Sequence, residues 1–187
     1  MRMEIAKSYG DYILESLLSR NEVRWASLPS VSHTGLLESA EAELRTHKNK
    51  GIGVFTKIRI KKGTLFGYGG KVINKDELRR VQKRTSLCNY LISNSDGIIV
   101  NARPGSDQNH VLWIGSKANE PSPGESFNCI LVQSVPDHIE GRWPTTLCNT
   151  DFALCTVIDI NANVELTTIY GWLPKMRSYE ISYNLPK

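Results

Sequence analysis

Apolar residues recur at helical spacing only at the start of the chain, where Ile5, Tyr9, Tyr12, Ile13, Leu17 and Leu18 form one stripe opposite the charges. A stripe of that period predicts an amphipathic helix. The pattern breaks into a loop around Ser27-Leu28-Pro29-Ser30, and Leu36 to Leu44 reads as a short helical or irregular piece. From Gly51 onward the apolar runs are short and closely punctuated, which predicts strands. Val54-Phe55-Thr56 and Ile58-Arg59-Ile60 come first, Lys62-Gly63 turns the chain, and Thr64 to Tyr68 follows until Gly69-Gly70. Asn74, with Glu77 three residues on, has the capping-box pattern, so a short helix is expected over Lys75 to Arg84. Tyr90-Leu91-Ile92 and Ile98-Ile99-Val100 predict a hairpin across Ser95-Asp96-Gly97. Val111 to Ile114 is short and apolar, and Asn119 to Gly124 is a Pro/Gly loop. Strands return at Cys129 to Val132, Phe152 to Ile158 and Glu165 to Ile169, and Val135 to Thr150 reads as an excursion between two paired strands. The expected class is mainly β with some α, and no internal repeat is evident.

Composition narrows this little. The chain has 187 residues, 40% hydrophobic and 22% charged, which suits a packed domain of ordinary size. A net charge of +4 neither demands nor forbids nucleic acid, and there is no dense basic run. Lys57, Arg59, Lys61 and Lys62 alternate with apolar residues, which is the wet face of a strand entering a turn. Direct nucleic-acid binding is therefore not expected. Cys88, Cys129, Cys148 and Cys155 form no CxxC pair and lack histidines at zinc spacing, so buried reduced thiols are expected and no metal. Met1 to Lys7 lacks the apolar stretch of a signal peptide and no segment is long enough to span a bilayer, so the expected location is nucleus or cytoplasm.

Three stretches carry candidate chemistry. In Lys50-Gly51-Ile52-Gly53-Val54-Phe55 two glycines allow a tight turn and close approach of backbone to a ligand. Without a third glycine or a following helix this is no dinucleotide fingerprint. Asn119 and Asn128 bracket a Pro/Gly loop, each beside an apolar strand, where an amide can order the loop or read a polar ligand. Finally, a strand from Glu165 runs into Tyr170, Gly171 and Trp172. Taken singly, each is an ordinary turn, loop or buried tyrosine.

Their order along the chain resembles the SET domain of protein lysine methyltransferases, from about Lys50 to Trp172. Gly51-Ile52-Gly53-Val54-Phe55 is similar to the family's opening motif, and Ile60-Lys61-Lys62-Gly63-Thr64-Leu65 to its following strand pair. Asn119 to Cys129 is similar to its paired-asparagine segment, and Glu165-Leu166-Thr167-Thr168-Ile169-Tyr170-Gly171 to its closing strand. Several departures stand out. Glu120 takes the place of a histidine, and the loop from Asn119 to Asn128 is long and holds two prolines. Asn163-Val164 replaces Gly-Glu, Ile169 replaces an aspartate, and no cysteine-rich zinc module follows Gly171.

The resemblance implies a β-clip of several short curved sheets with a pseudoknot-like C-terminal segment. It divides the chain into a helical or irregular extension over 1–48, the SET domain over 49–173 and a segment closing the site over 174–187. It implies S-adenosylmethionine as cofactor. Lys50, Gly51, Ile52 and Gly53 would meet it mainly through backbone, with Tyr90 near its amino-acid end. Asn119 would bond it, with Ala118 and Glu120 flanking; Trp172, Tyr179 and Tyr183 are the candidates for the remaining wall. Tyr170 is implied as the catalytic residue beside the transferring methyl, with a narrow dry channel and no dedicated base. The implied substrate is a lysine-bearing peptide such as a histone tail, added as a strand along the Asp96 to Arg103 hairpin. Asp96, Asp107 and Glu120 are the nearby acids for a basic tail. The competing expectation is a weak or inactive SET-like module that binds a peptide without transfer.

Overall fold

The structure, a computed structural model, describes residues 2–47, 50–68, 71–82, 91–93, 99–101, 114–133, 135–143 and 152–169. The expected N-terminal helix is α1, Arg2–Leu18; it buries Ile13 and Leu17 of the expected stripe together with Leu14, which that stripe did not include. Tyr12, placed on that stripe by its spacing, instead faces out with 69% of its surface exposed. The helix lies close on strand β10 (Cys129–Gln133): a Cβ on Gly10 would stand 2.4 Å from the Leu131 carbonyl oxygen. The Asp11 carboxylate accepts the Gln133 backbone N–H at 3.2 Å. Helix and sheet edge thus meet by backbone approach at a residue without a side chain.

The stretch after α1 up to the first glycine motif, expected as helical or irregular, holds four short strands, with the expected loop at 27–29 between the first two. β1 (Arg24–Trp25), β2 (Ser30–Val31), β3 (Leu37–Glu38) and β4 (Ala42–His47) occupy it. Within β4, Ala42 and Leu44 are buried while the residues between are not, so the period is two and not 3.6. The alternation was hard to see because Glu41 and Ser39 are also buried, tied to each other and to Ser27 by hydrogen bonds of 2.9–3.3 Å.

Two larger sheets share the core. One is four-stranded in the order β1-β6-β11-β10, with β6 at Thr64–Gly67 and β11 at Phe152–Thr156. Every residue of β6 and β11 is buried, as expected of strands covered on both faces. β10 and β11 pair antiparallel from Cys129↔Thr156 to Gln133↔Phe152, so 134–151 is the excursion between paired strands that the sequence pattern predicts. The second sheet is five-stranded, β12-β5-β4-β3-β2, with β5 at Gly51–Thr56 and β12 at Glu165–Leu166. A third, three-stranded sheet has the order β7-β9-β8, with β7 at Lys71–Ile73, β8 at Leu91–Ser93 and β9 at Ile99–Asn101. Helix α2, Lys75–Gln82, follows β7 and starts as expected: the Asn74 side-chain oxygen accepts the N–H groups of Asp76 (3.0 Å) and Glu77 (2.9 Å). Class and strand content are thus mainly β.

Ile58-Arg59-Ile60, read as a strand, is a bend from which only Ile60 pairs, in an isolated bridge with Ile160. That bridge lies near the centre of an internal two-fold arrangement. Ile60 and Ile160 exchange backbone hydrogen bonds at 2.9 Å each. The Thr56 hydroxyl donates to the Asn161 carbonyl at 2.6 Å, and the Thr156 hydroxyl donates to the Lys61 carbonyl at 2.8 Å. Asn163 N–H donates to Thr56 O and Gly63 N–H to Thr156 O, each at 2.8 Å. Gly63 (φ 82°) and Asn163 (φ 63°) hold the equivalent left-handed positions, one of the few conformations that glycine and asparagine share. The expectation of no internal repeat is therefore corrected. Thr-x-Ile-x-Ile-x-x-(Gly/Asn) occurs at Thr56 and again at Thr156; the two copies are identical at only three spaced positions, with Gly63 matched by Asn163 at a fourth, too sparse a pattern to stand out in the sequence.

Candidate functional site

The glycines of the first motif form part of strand β5 and not a turn preceding it. Register places Gly51 opposite His47 and Gly53 opposite Arg45. On the other side of β5, β12 sets Glu165 opposite Phe55 and Leu166 opposite Val54. This pairing carries the Glu165 side chain over Gly53, where a Cβ would stand 2.4 Å from Glu165 Oε1 and 2.8 Å from Asn119 Nδ2. Asn119 arrives from a third direction. It follows a short 3-10 helix, Ile114–Lys117, and bridges Thr167 in parallel, its carbonyl accepting Thr168 N–H at 2.9 Å.

Three distant segments therefore meet at one carboxylate. Asn119 Nδ2 donates to Glu165 Oε1 at 2.8 Å, with a longer contact of 3.4 Å to the Ile52 carbonyl. Lys50 Nζ donates to Glu165 Oε2 at 3.1 Å and to the Glu120 carbonyl at 2.9 Å. The Lys50 and Glu165 side chains are only 18% and 12% exposed, so the pair is poorly screened by water. Beneath it Asn128, itself buried, pins the strand: its Nδ2 donates to Glu165 O at 2.7 Å and its Oδ1 accepts Thr167 N–H at 2.8 Å. The two asparagines that bracket the loop thus do different work, one on a side chain and one on backbone.

On the flank, the His47 ring stacks on Phe55 with centroids 6.5 Å apart, and the Arg45 guanidinium lies 5.4 Å from the Phe55 centroid. A cavity of about 480 Å³ opens here, lined by His47, Lys50, Asn119, Glu120, Pro121, Ser122 and Pro123. Burial lowers the Lys117 amine, two residues before Asn119, to about 8.

Of the residues expected from the sequence, Lys50, Gly53, Asn119 and Glu120 come together here. Ile52 contributes its carbonyl while its side chain is exposed, Gly51 is exposed with φ 80°, and Ala118 is fully buried behind Asn119. Tyr90, Tyr170, Trp172, Tyr179, Tyr183, Asp96 and Asp107 lie outside the described residues. Glu165 and His47 were missed as site residues. Glu165 stood in a strand motif, and nothing local marks a strand glutamate as the centre of a junction. The expected free edge at the Asp96 to Arg103 hairpin needs correction: β9 is paired on both sides, by β7 and by β8, so among the described residues the outer strands of that sheet are β7 and β8.

The basic stretch after β5 is balanced by acids. Lys57 pairs with Glu38 at 3.0 Å, and Arg59 (3.0 Å) and Lys61 (3.1 Å) share Asp159 Oδ2. The Lys62 backbone N–H, with Lys61 and Arg59, holds the Asp159 carboxyl down to about 2. Cys129 and Cys155 are free and buried, and burial raises both thiols, Cys155 to about 12. Native protein treated with iodoacetamide at neutral pH should therefore show no label on Cys129 or Cys155 by peptide mapping, and rapid label once denatured. Fast native labelling of either would contradict this packing. Among the described residues no group of three or more metal-ligating side chains occurs, and no helix is long and apolar enough to cross a membrane. No protein-family model and no curated protein matches the sequence.

Proposed function

We propose that this chain is a protein-lysine N-methyltransferase of the SET type, acting on a lysine side chain of a peptide such as a histone tail. One observation carries the reading. Three of the segments that bear the resemblance meet: Asn119 and Glu165 are hydrogen-bonded at 2.8 Å directly over Gly53, where a Cβ would not fit, although each segment is unremarkable alone. A shared site is the simplest reason for such segments to recur in that order.

The residues fit S-adenosylmethionine. A cavity of about 480 Å³ lies within the roughly 300–1,000 Å³ common for small-ligand sites. Gly51 would accept close approach, since no atom lies within 4 Å of a Cβ placed there. Lys50, Gly51 and Ile52 would hold the cofactor through backbone, Asn119 through its amide, and Ala118 and Glu120 would flank it. When bound, S-adenosylmethionine supplies an electrophilic methyl group on a sulfonium. The chain's own part is to position the incoming amine, exclude water, and lower the amine's pKa by burial so that it is neutral. Tyr170 is proposed to orient the methyl through its hydroxyl. A substrate peptide adding as a strand would use β7 or β8.

One feature favours the second reading, a SET-like module that binds without transfer. The Glu120 carbonyl, at the position where the family offers backbone to the cofactor, already accepts Lys50 Nζ.

Incubation with labelled S-adenosylmethionine and recombinant core histones tests both. Wild type should incorporate label, and Tyr170→Phe should lose most of that turnover while still binding cofactor by calorimetry. Asn119→Ala should bind it more weakly. Full activity in Tyr170→Phe, or unchanged affinity in Asn119→Ala, would overturn these assignments. Peptide binding with no incorporation by wild type would select the second reading.

A further inference from the structure

We propose that Lys50 is a strap that holds the Glu120 to Glu125 loop closed over the cavity, and that release of this strap sets how fast the cavity exchanges its occupant. The inference rests on the reading that the cavity takes S-adenosylmethionine.

The cavity has two walls. One is formed by His47, at the end of β4, and Lys50; the other is the segment Asn119 to Pro123. Lys50 bridges them. Its ammonium group donates to the Glu120 carbonyl on the loop and to the Glu165 carboxylate on β12, far away in sequence on both counts. An ammonium group on a flexible stem can hold two walls at once and still let go, which a packed aromatic does less readily.

The loop is braced as a unit. At its N-terminal end Asn119 is fixed by the Thr168 N–H and by Glu165. At its C-terminal end Phe127 and Asn128 are buried. Between them the turn is closed by its own bonds: Ser122 N–H donates to Glu125 Oε2 at 3.1 Å, and Glu125 N–H donates to Ser122 O at 2.9 Å. Pro121 and Pro123 stiffen it, and Gly124 has φ 80° with open space around it. A stiff turn between two anchored ends swings rather than melts, so a tie across the cavity acts as its latch.

Lys50→Met keeps the length of the stem and removes the donors, while Lys50→Arg keeps charge and donors. The test is amide hydrogen exchange across the whole protein, together with stopped-flow dissociation of S-adenosylhomocysteine. Lys50→Met should speed exchange at the Glu125 amide, leave the β10 and β11 amides unchanged, and raise the dissociation rate about tenfold. Lys50→Arg should recover most of both effects. Exchange rising equally across the fold would make Lys50 merely structural and overturn the proposal, as would an unaltered Glu125 amide in Lys50→Met. An unchanged dissociation rate beside a faster Glu125 amide would overturn the gating. If wild type binds no S-adenosylhomocysteine, the cofactor reading and the gating fail together, and the exchange pattern alone decides whether Lys50 latches the loop.

Discussion

Gly53→Ala is expected to destabilise the fold by about 3 kcal/mol. The added methyl would stand 2.4 Å from Glu165 Oε1, 2.8 Å from Asn119 Nδ2 and 3.3 Å from Phe55 Cε2. None of these can retreat freely. Glu165 is held by Lys50 and Asn119, and its backbone is held by Asn128. Moving the carboxylate away leaves the Asn119 amide and the Lys50 ammonium short of a partner in a poorly solvated place, where unmade hydrogen bonds cost most. Gly51→Ala is the control. It has a positive φ and no neighbour within 4 Å, so only backbone strain of about 1–2 kcal/mol should appear. Urea unfolding of the two variants separates the effects, and a Gly53→Ala cost no larger than that of Gly51→Ala would mean that Glu165 and Asn119 are not held over Gly53.

Thr56→Val and Thr156→Val should each cost about 2 kcal/mol, and by similar amounts. Valine has nearly the shape of threonine, so packing is conserved and only the hydroxyl is lost. Each hydroxyl donates to one backbone carbonyl and accepts one backbone N–H. For Thr56 these are Asn161 O (2.6 Å) and Val164 N (3.0 Å); for Thr156 they are Lys61 O (2.8 Å) and Thr64 N (2.9 Å). Both threonines are fully buried, so water cannot replace the lost partner. Because the two turns share the Ile60 and Ile160 bridge, the double variant should depart from additivity. The readout is the urea midpoint at constant slope. Thr→Ser variants at both positions should fall between wild type and valine. Valine variants as stable as wild type would show that the hydroxyls do not hold the turns.

Much of the fold was legible where a local rule decides it. The Asn74 cap, the hairpin of β8 with β9, and the pairing of β10 with β11 all follow from turn chemistry and apolar runs. Legibility failed where a local pattern served a distant partner. The link between β3 and β4 carries buried polar groups, Ser39 and Glu41, and Glu41 looks like a surface charge until its bonds to Ser27 and Ser39 are seen. Ile58-Arg59-Ile60 has strand composition, yet only Ile60 makes a strand-like backbone pairing, and it pairs with the other half of the two-fold arrangement.

The sequence by itself determined the mainly β class, the helix at the start, and the residues from which a site could be built. Their spacing also marked Lys50, Gly53, Asn119 and Asn128 for attention. Only the tertiary structure decided what they do together. Gly53 is a glycine because Glu165 and Asn119 occupy the space over it, and Lys50 is tied to a loop and a strand that its neighbours in sequence never touch. The physical reason is that strand register is set by burial on the far face of β5, where Val54 and Thr56 are fully covered. That register, and nothing in the local sequence, turns Gly53 and Glu165 toward each other.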